Sequence, residues 1–227
     1  NLATDEWVVF SAARRSRPTQ YASSSQVSAP RLSDLPAHDE TCPFCKGNEQ
    51  LTPPATLTRL LPGTAEDDNE WTLRVVPNKF PAVAPSGTAA QRAPNWRENA
   101  SDPNQLLTVE RVEAVGFHEV LIESPQHNVP TALASPEQVE GLVRALRSRG
   151  RSMIASDPTL RHIMYFKNSG LKAGASLLHP HSQILGLPIV PNEVVRRQRH
   201  AREWFLRFQR NVFELTIEQT LRERDEA

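Results

Sequence analysis

The sequence predicts an α+β fold in which an antiparallel sheet packs against helices. The first half of the chain is rich in proline, with 12 of the 19 prolines between Pro18 and Pro103, and this favours short strands joined by loops. The second half mixes strand-like segments with one helix and ends in a helical region. Strands that follow one another with few intervening helices favour antiparallel pairing, because a parallel pair needs a long crossover.

Several segments are predicted to be strands from their β-branched, aromatic or alternating residues. Proline ends two of them, at Pro77 and at Pro125, because its ring removes a backbone donor from the sheet ladder. Along each strand, residues two apart lie on the same face. The predicted strands are residues 6–11, 71–78, 118–124, 162–168 and 179–189.

A helix is predicted from Ser135 to about Ser152. Ser135 is typical of an N-cap residue, Pro136 of the first helical position, and Gln138 of the position that reaches back to the cap. A second helical region is predicted from Pro191 onward, where Arg and Glu residues are frequent.

This C-terminal region is predicted to carry one apolar face. Trp204, Phe208, Val212 and Leu215 are separated by four, four and three residues, which is the spacing of one side of a helix. The face either packs on the protein's own sheet or forms an interface with another chain, and both interpretations agree with the spacing.

Composition excludes some classes of partner. The chain has 227 residues, and its 26 Lys and Arg residues balance its 26 Asp and Glu residues, so the formal net charge is zero. A neutral chain lacks the positive field that binds nucleic acid or an anionic membrane, and no apolar run of about 18 residues is present. We therefore expect neither partner. Because the chain contains only two cysteines, we expect a cytoplasmic protein.

The strongest chemical signal lies in the last predicted strand. His179, His181 and Gln183 alternate there and are predicted to share one face. Two imidazoles and an amide on one face suit metal ligation or phosphate chemistry. A Gly-Ala-Ser turn at residues 174–176 precedes them, and its backbone amides would allow close approach of phosphate oxygens. The combination favours a functional site over two unrelated histidines.

Cys42 and Cys45 form a Cys-x-x-Cys pair. Two thiolates at this spacing supply half of a tetrahedral metal site, which histidines or carboxylates would have to complete. The alternative is a pair of buried thiols without a metal, and a redox pair fits poorly because no βαβ pattern surrounds the motif. His118, within a predicted strand, is interpreted as structural, and His127 alone carries little signal.

Five motifs follow one another along the chain: EWVVFSAARRSRP, CPFCKGNE, RVVPNKFPAV, HEVLIESPQHN and FKNSGLKAGASLLHPHSQILGLPIVPNE. In this order the chain resembles the galactose-1-phosphate uridylyltransferase family of the histidine-triad superfamily, over most of residues 1–193. The resemblance implies the N-terminal half of the family's fold: a histidine-triad-like antiparallel sheet with packed helices and a zinc staple. It places a nucleotidyltransferase domain in residues 1–190 and a helical segment in residues 191–227.

The resemblance also implies roles for individual residues. His181 matches the family's nucleophile, which attacks the α-phosphorus of a nucleoside diphosphate sugar and forms a covalent nucleotidyl-histidine. Gln183 and Ser176 match residues that contact the phosphates. Arg14 and Arg17 match arginines that reach the neighbouring subunit's ligand in a homodimer. The predicted substrate contacts are Arg14, Arg17, Leu51, Val76, Asn78, Asn168, Gly174 and Ala175.

The same resemblance completes the metal site. Cys42, Cys45, His127 and His179 match the family's four zinc ligands, so zinc is the implied cofactor. His179 would hold the metal while His181 performs the chemistry. A zinc tie would fix the strand that carries the nucleophile, and its implied role is therefore structural.

The implied activity is transfer of UMP from UDP-glucose to galactose 1-phosphate in two half-reactions. The runner-up is an ADP-glucose phosphorylase, which uses inorganic phosphate as acceptor. Lys79 favours this branch, because the uridylyltransferases carry aspartate there beside the nucleoside. The other candidates are a nucleotide-binding module without turnover and a zinc-stapled interaction domain. Histidine-triad hydrolases commonly carry histidine where Gln183 stands, and glutamine cannot deliver a proton, which favours transfer over hydrolysis.

Overall fold

A computed structural model of the chain describes residues 8, 9, 11, 34–63, 70–85 and 114–225. These residues fall into two compact units. Among the described residues, the first unit contains the sheet and one helix and ends at Pro188, and the second contains Val8 and residues 189–225 with two helices. Of the strand predicted over residues 6–11, only Val8, Val9 and Ser11 are described, and none of the three lies in a strand.

The first unit is built on a five-stranded sheet in which every neighbouring pair is antiparallel. The strand order across the sheet is β1-β2-β3-β5-β4. This architecture confirms the predicted α+β class. The strands are β1 (Leu57–Leu60), β2 (Trp71–Pro77), β3 (Phe117–Ile122), β4 (His162–Phe166) and β5 (His181–Leu187).

Two strand predictions need correction. The edge strand β1 was not predicted, because four residues are too few to establish an alternating pattern. The last strand begins at His181 rather than His179. Pro180 lies between these two residues, and a proline cannot donate a hydrogen bond to a neighbouring strand. His179 therefore precedes the strand instead of sharing its face with His181.

One helix, α1 (Pro136–Ser156), belongs to the same unit. It begins as predicted, with the Ser135 hydroxyl oxygen accepting a hydrogen bond from the Gln138 amide at 3.2 Å. It runs four residues beyond the predicted end at Ser152, because buried Met153 continues its core-facing stripe. Asp157 ends the helix in an extended conformation, which is the conformation favoured before a proline.

The two faces of the sheet pack against different partners. One face forms an aliphatic core with α1, made of Leu73, Val75, Leu121, Leu142, Ala145, Met153, Leu160 and Ile184. The opposite face forms a second cluster with the segment that contains both cysteines, made of Cys42, Phe44, Cys45, Trp71, Val76, Val120 and Ile122. Alternation along β3 and between Val75 and Val76 of β2 therefore supplies two buried surfaces, which we call the helix face and the site face. Trp71 departs from this alternation because the register of β1 with β2 shifts between Arg59 and Leu60.

The second unit contains α2 (Asn192–Phe208) and α3 (Val212–Asp225), which contact each other. The single apolar face predicted across both was wrong. Gln209 adopts a left-handed conformation with a φ of 52°, and its amide donates to the Phe205 carbonyl at 2.7 Å, which ends α2. Trp204 and Phe208 therefore lie on α2, whereas Val212 and Leu215 lie on α3. None of the described residues of α2 is buried.

Over the described ranges, no helix combines the length and the apolar character that a bilayer crossing requires.

Candidate metal centre and active site

The segment that carries the two cysteines is held by hydrogen bonds within itself. The Asn48 side-chain amide donates to the carbonyls of Asp39, Glu40 and Cys42, at 3.2, 3.1 and 2.9 Å. The Cys45 amide donates to the Cys42 carbonyl at 3.2 Å, which closes the turn between the thiols. Gly47, two residues after Cys45, has a φ of 93°, which is a conformation that glycine adopts without strain. The local sequence thus folds both thiols inward.

The other two candidate ligands come from distant segments. His127 follows β3, and its amide donates to the Ala37 carbonyl at 2.8 Å. His179 immediately precedes Pro180 and β5. The Lys46 amide also donates to the Pro125 carbonyl at 3.4 Å, which holds the cysteine segment against the chain that follows β3. The Glu123 amide donates to the Pro180 carbonyl at 3.5 Å, so backbone hydrogen bonds join all three segments.

The ligand atoms of Cys42, Cys45, His127 and His179 all lie within 4.8 Å of one another, and all four residues are buried. Cys45 Sγ is 3.4 Å from His127 Nδ1 and 3.6 Å from His179 Nδ1, and Cys42 Sγ is 3.8 Å from His179 Nδ1. A tetrahedron with Zn–S and Zn–N bonds of about 2.3 and 2.05 Å has S···N edges of about 3.6 Å. The four side chains are thus positioned to bind a metal with the geometry that zinc prefers.

Burial keeps this cluster uncharged in the absence of a metal. It raises the pKa of the Cys42 thiol to about 12 and lowers the pKa of His179 to about 4. Two thiolates and two neutral imidazoles would balance the charge of one divalent cation, so the loaded cluster would also be neutral. His179 Nε2–H donates to the Ser124 carbonyl at 3.0 Å, which leaves Nδ1 as the ligand atom. The donor set therefore fits a zinc ion.

His181 is the first residue of β5 and is 8% exposed. Its Nδ1 lies 2.8 Å from the His179 carbonyl oxygen, which can only accept, so the ring proton is on Nδ1 and the basic lone pair is on Nε2. The ring of Phe44, from between the two cysteines, meets the His181 ring edge-on with centroids 5.2 Å apart. His181 is thereby oriented by a candidate metal ligand and by the cysteine segment.

Gln183 lies two residues further along β5 and shares the site face with His181. The sheet register places it opposite Val120, which is itself opposite Val76 on β2. Gln183 Oε1 lies 2.9 Å from His118 Nε2, and Asn78 Nδ2 lies 3.1 Å from the same ring nitrogen. A predicted phosphate-side residue and a predicted nucleoside-side residue therefore meet at His118.

The remaining predicted contacts that the structure describes lie in loops and short turns outside the strands. Asn168 follows β4 and is half-buried, and Leu51 ends a short helical turn and is 42% exposed. Gly174 has a φ of 78°, and Ser176 is half-buried. The amide of Ala175 donates to the Gly170 carbonyl at 3.2 Å, so this structure commits it to the turn rather than to an incoming phosphate. Arg14 and Arg17 lie outside the described residues.

Sequence reasoning missed two features of the site. His118 was interpreted as structural, yet it contacts Gln183, and only the pairing of β3 with β5 could have revealed this. Glu123, which is 3% exposed, also went unnoticed. Its carboxylate accepts from Ser182, the residue between His181 and Gln183, at 2.7 Å.

The structure thus combines an antiparallel sheet and a helix with a Cys2His2 cluster that could hold a metal ion, and it places a buried histidine at the start of the neighbouring strand. These features define the class as an α+β domain with a candidate metal centre. A family model described as "Galactose-1-phosphate uridyl transferase, N-terminal domain" matches residues 1–191. The chain therefore belongs to this family, which confirms the resemblance noted from its motifs.

Individual relatives agree with this assignment. An ADP-glucose phosphorylase of Arabidopsis thaliana is 34% identical over 203 residues, which cover 89% of this chain and 51% of the relative. A galactose-1-phosphate uridylyltransferase of Thermotoga maritima is 27% identical, over 90% of this chain and 51% of the relative. The crystal structure of an Arabidopsis thaliana ADP-glucose phosphorylase with bound ADP-glucose matches with a TM-score of 0.57 and 29% identity, covering 92% of this chain and 54% of that one. The chain spans about half the length of the curated relatives it matches.

Proposed function

We propose that this protein transfers a nucleotidyl group from a nucleoside diphosphate hexose to a phosphate acceptor, with His181 as the nucleophile. The observation that carries the proposal is the fixed tautomer of His181. Its Nδ1–H points at the His179 carbonyl, so the lone pair is on Nε2. Neutral imidazole is a competent nucleophile near pH 7, and its phosphoramidate is reactive enough to pass the group on.

The reaction balances in two half-reactions. In the first, Nε2 of His181 forms a bond to the α-phosphorus, and the bond from that phosphorus to the bridging oxygen breaks and releases a hexose 1-phosphate. In the second, an oxygen of the acceptor phosphate attacks the same phosphorus, and the P–N bond breaks and restores His181. The leaving group is itself a phosphate whose second pKa is about 6, so it departs without a proton from the protein.

Gln183 and the His179 carbonyl serve this chemistry in different ways. Bond formation makes the imidazole cationic, and the hydrogen bond from Nδ1 to the His179 carbonyl at 2.8 Å stabilises that cation. Gln183 on the same face would donate its amide hydrogens to the phosphate, and Ser176 and Asn168 are the further polar groups that we assign to phosphate contacts. Val76 and Leu51 would line the base, and Asn78 would contact the nucleoside.

We assign zinc as the metal of the Cys2His2 cluster. A bound zinc ion would hold the cysteine segment and His179 in place and so fix the residue whose carbonyl orients His181. No substrate contact is assigned to the metal. Homodimerisation, with Arg14 and Arg17 directed to the neighbouring subunit's ligand, belongs to the same proposal.

Two donors are candidates, and we favour ADP-glucose with inorganic phosphate as acceptor. The support is the 34% identity with an ADP-glucose phosphorylase, against 27% with the Thermotoga maritima uridylyltransferase, together with a lysine at position 79. The second candidate is transfer of UMP from UDP-glucose to galactose 1-phosphate, which the relatives named galactose-1-phosphate uridylyltransferase support.

The test is the intact mass of the zinc-loaded protein after incubation with ADP-glucose and, separately, with UDP-glucose. We expect a gain of one AMP with the first donor, no gain in His181→Ala, and full labelling of the control His200→Ala, whose histidine is exposed on α2. A gain of UMP alone would select the second candidate. Labelling of His181→Ala would overturn the assigned nucleophile. Binding of both donors without labelling would indicate a nucleotide-binding module instead.

A further inference from the structure

His118 lies between the side chains of Asn78 and Gln183, both of which approach its Nε2. It is 5% exposed, and in the sheet it lies opposite Leu185, two register positions from the pair of Val120 and Gln183. Because alternate residues share a face, His118 and Gln183 project to the same side and meet diagonally across β3 and β5. The Asn78 amide donates to the His118 carbonyl at 2.8 Å, so the backbone also anchors this histidine.

The backbone determines the tautomer of His118. The Ala82 amide lies 2.9 Å from His118 Nδ1, and a backbone N–H can only donate. Nδ1 therefore accepts, and the neutral ring carries its proton on Nε2. That nitrogen lies 2.9 Å from Gln183 Oε1. The geometry thus makes His118 the donor and the Gln183 carbonyl oxygen the acceptor.

Asn78 does not compete for this proton. Its Oδ1 accepts from the Phe80 amide at 2.9 Å, which turns its NH2 group toward His118, with Nδ2 3.1 Å from Nε2. An amide that offers only N–H groups on that side cannot accept the imidazole proton. Gln183 Oε1 is therefore the acceptor, whereas the contact between the Asn78 NH2 group and Nε2–H joins two donors and is not a hydrogen bond.

We propose that His118 is a positioning residue, which holds Gln183 Oε1 by donation from Nε2 and thereby turns the Gln183 NH2 group toward the transferring phosphate. A side-chain amide has two orientations of nearly equal shape, and only one directs donors to an anion. The other would direct a carbonyl oxygen at the phosphate, where like charge repels. This inference rests on the proposed function, because it assigns a purpose to the Gln183 donors.

The primary test compares His118→Leu, which removes the donor, with His118→Gln, whose amide nitrogen can replace Nε2. The rate of nucleotidylation at saturating donor should fall about tenfold in His118→Leu, as for other supporting residues of a site, and return to within about threefold in His118→Gln. In a Gln183→Ala background, His118→Leu should change the rate less than twofold, because the two residues act as one unit. Independent, multiplicative losses would overturn the proposal.

A second measurement does not depend on turnover. Long-range ¹⁵N–¹H spectra of the histidine rings should assign the proton of His118 to Nε2 in the wild-type protein, and the Gln183 side-chain amide signals should shift in His118→Leu but not in the control His162→Ala. A proton on Nδ1, or unchanged Gln183 signals, would overturn the inference. A wild-type protein that shows the expected tautomer and shifts but is not labelled by either donor would contradict the proposed function alone.

Discussion

The two faces of the sheet bury polar groups in opposite ways. On the helix face, buried carboxylates are neutralised by the protein itself: Glu119 pairs with Arg149 at 2.7 Å and Glu123 with Lys167 at 2.6 Å. On the site face, most buried polar groups are thiols, imidazoles and amides, which carry no charge of their own. The exception is the Arg74 guanidinium, which is 6% exposed and lies 5.7 Å over the Trp71 ring. The helix face is complete without a ligand, whereas the site face presents donors and lone pairs suited to a cation and a phosphate.

A single strand serves both faces because its side chains alternate. His181 and Gln183 lie on the site face, while Ser182 and Ile184 lie on the helix face, where Ser182 donates to Glu123 and Ile184 packs in the aliphatic core. The neighbours of the proposed nucleophile, His181, are therefore the residues that fasten its strand. The packing of the helix face thus holds the candidate site residues of the site face in position.

The largest effect is expected from a substitution in the Cys2His2 cluster on the site face. Cys45→Ser should abolish zinc binding, lower the metal content from one per chain to near zero, and lower the Tm by about 10 °C. That shift corresponds to about 3 kcal/mol for a domain of this size. Metal analysis and thermal unfolding check it. His38→Ala, a histidine of the same segment outside the cluster, should keep its zinc, and equal metal loss in both variants would contradict the assigned ligands.

The next largest effect is expected from a substitution of Glu123 on the helix face. Burial opposes ionisation of this carboxyl, but hydrogen bonds from Lys167, Thr131 and Ser182 outweigh it and hold its pKa below the ordinary value. Glu123→Gln removes the charge that Lys167 faces and should cost about 2 kcal/mol, less than a fully buried pair because Lys167 reaches solvent. Urea unfolding measures the loss. The control Glu140→Gln, in an exposed pair, should lose less than about 0.5 kcal/mol.

The same network predicts a pH dependence. Because the folded pKa of Glu123 is depressed, its contribution to stability is present above the unfolded pKa of about 4.3 and is lost as the pH falls through the folded pKa. The free energy of unfolding of the wild type should therefore fall between about pH 5 and pH 3 more steeply than that of Glu123→Gln. Parallel curves for the two proteins would exclude this role of Glu123.

The smallest effect is expected from Gln183→His, which changes the chemistry of one site-face residue without removing a metal ligand or an ion pair. Gln183→His introduces a side chain that can deliver a proton, whereas glutamine cannot. We expect hydrolysis of the nucleotidyl-enzyme to rise about tenfold relative to transfer, which equals about 1.4 kcal/mol. Product analysis with and without acceptor measures the ratio. An unchanged ratio would mean that the residue at this position does not select transfer over hydrolysis.

Sequence patterns predicted the fold class and four of the observed strands because those strands are long enough to alternate. They failed where a single residue decides the outcome. Pro180 moved His179 out of the last strand, and Gln209 divided one expected helical face between two helices. Both depend on local backbone conformation, which periodicity does not encode.

The candidate site likewise contains residues that local sequence patterns predicted and residues that they did not. The spacing of Cys42 and Cys45 predicts half of a metal site. The identity of the two histidine partners followed only from the family resemblance, because no local sequence pattern joins them to the cysteines. The contact between His118 and Gln183 depends on the register of β3 with β5, which no local sequence pattern specifies. Predicted contacts in loops, such as Asn168 and Ser176, remain proposals.

The long separation between the metal ligands has a consequence for the unfolded chain. His127 and His179 lie 82 and 134 residues from Cys45, and His179 lies 137 residues from Cys42, more than half of the 227-residue sequence. A covalent cross-link that closes a loop of about 100 residues removes roughly 4.7 kcal/mol of chain entropy from the unfolded state. A metal ion differs from such a cross-link, because ligands this far apart separate when the chain unfolds. A bound ion would therefore stabilise the native state through its binding free energy and would leave the random coil unrestricted.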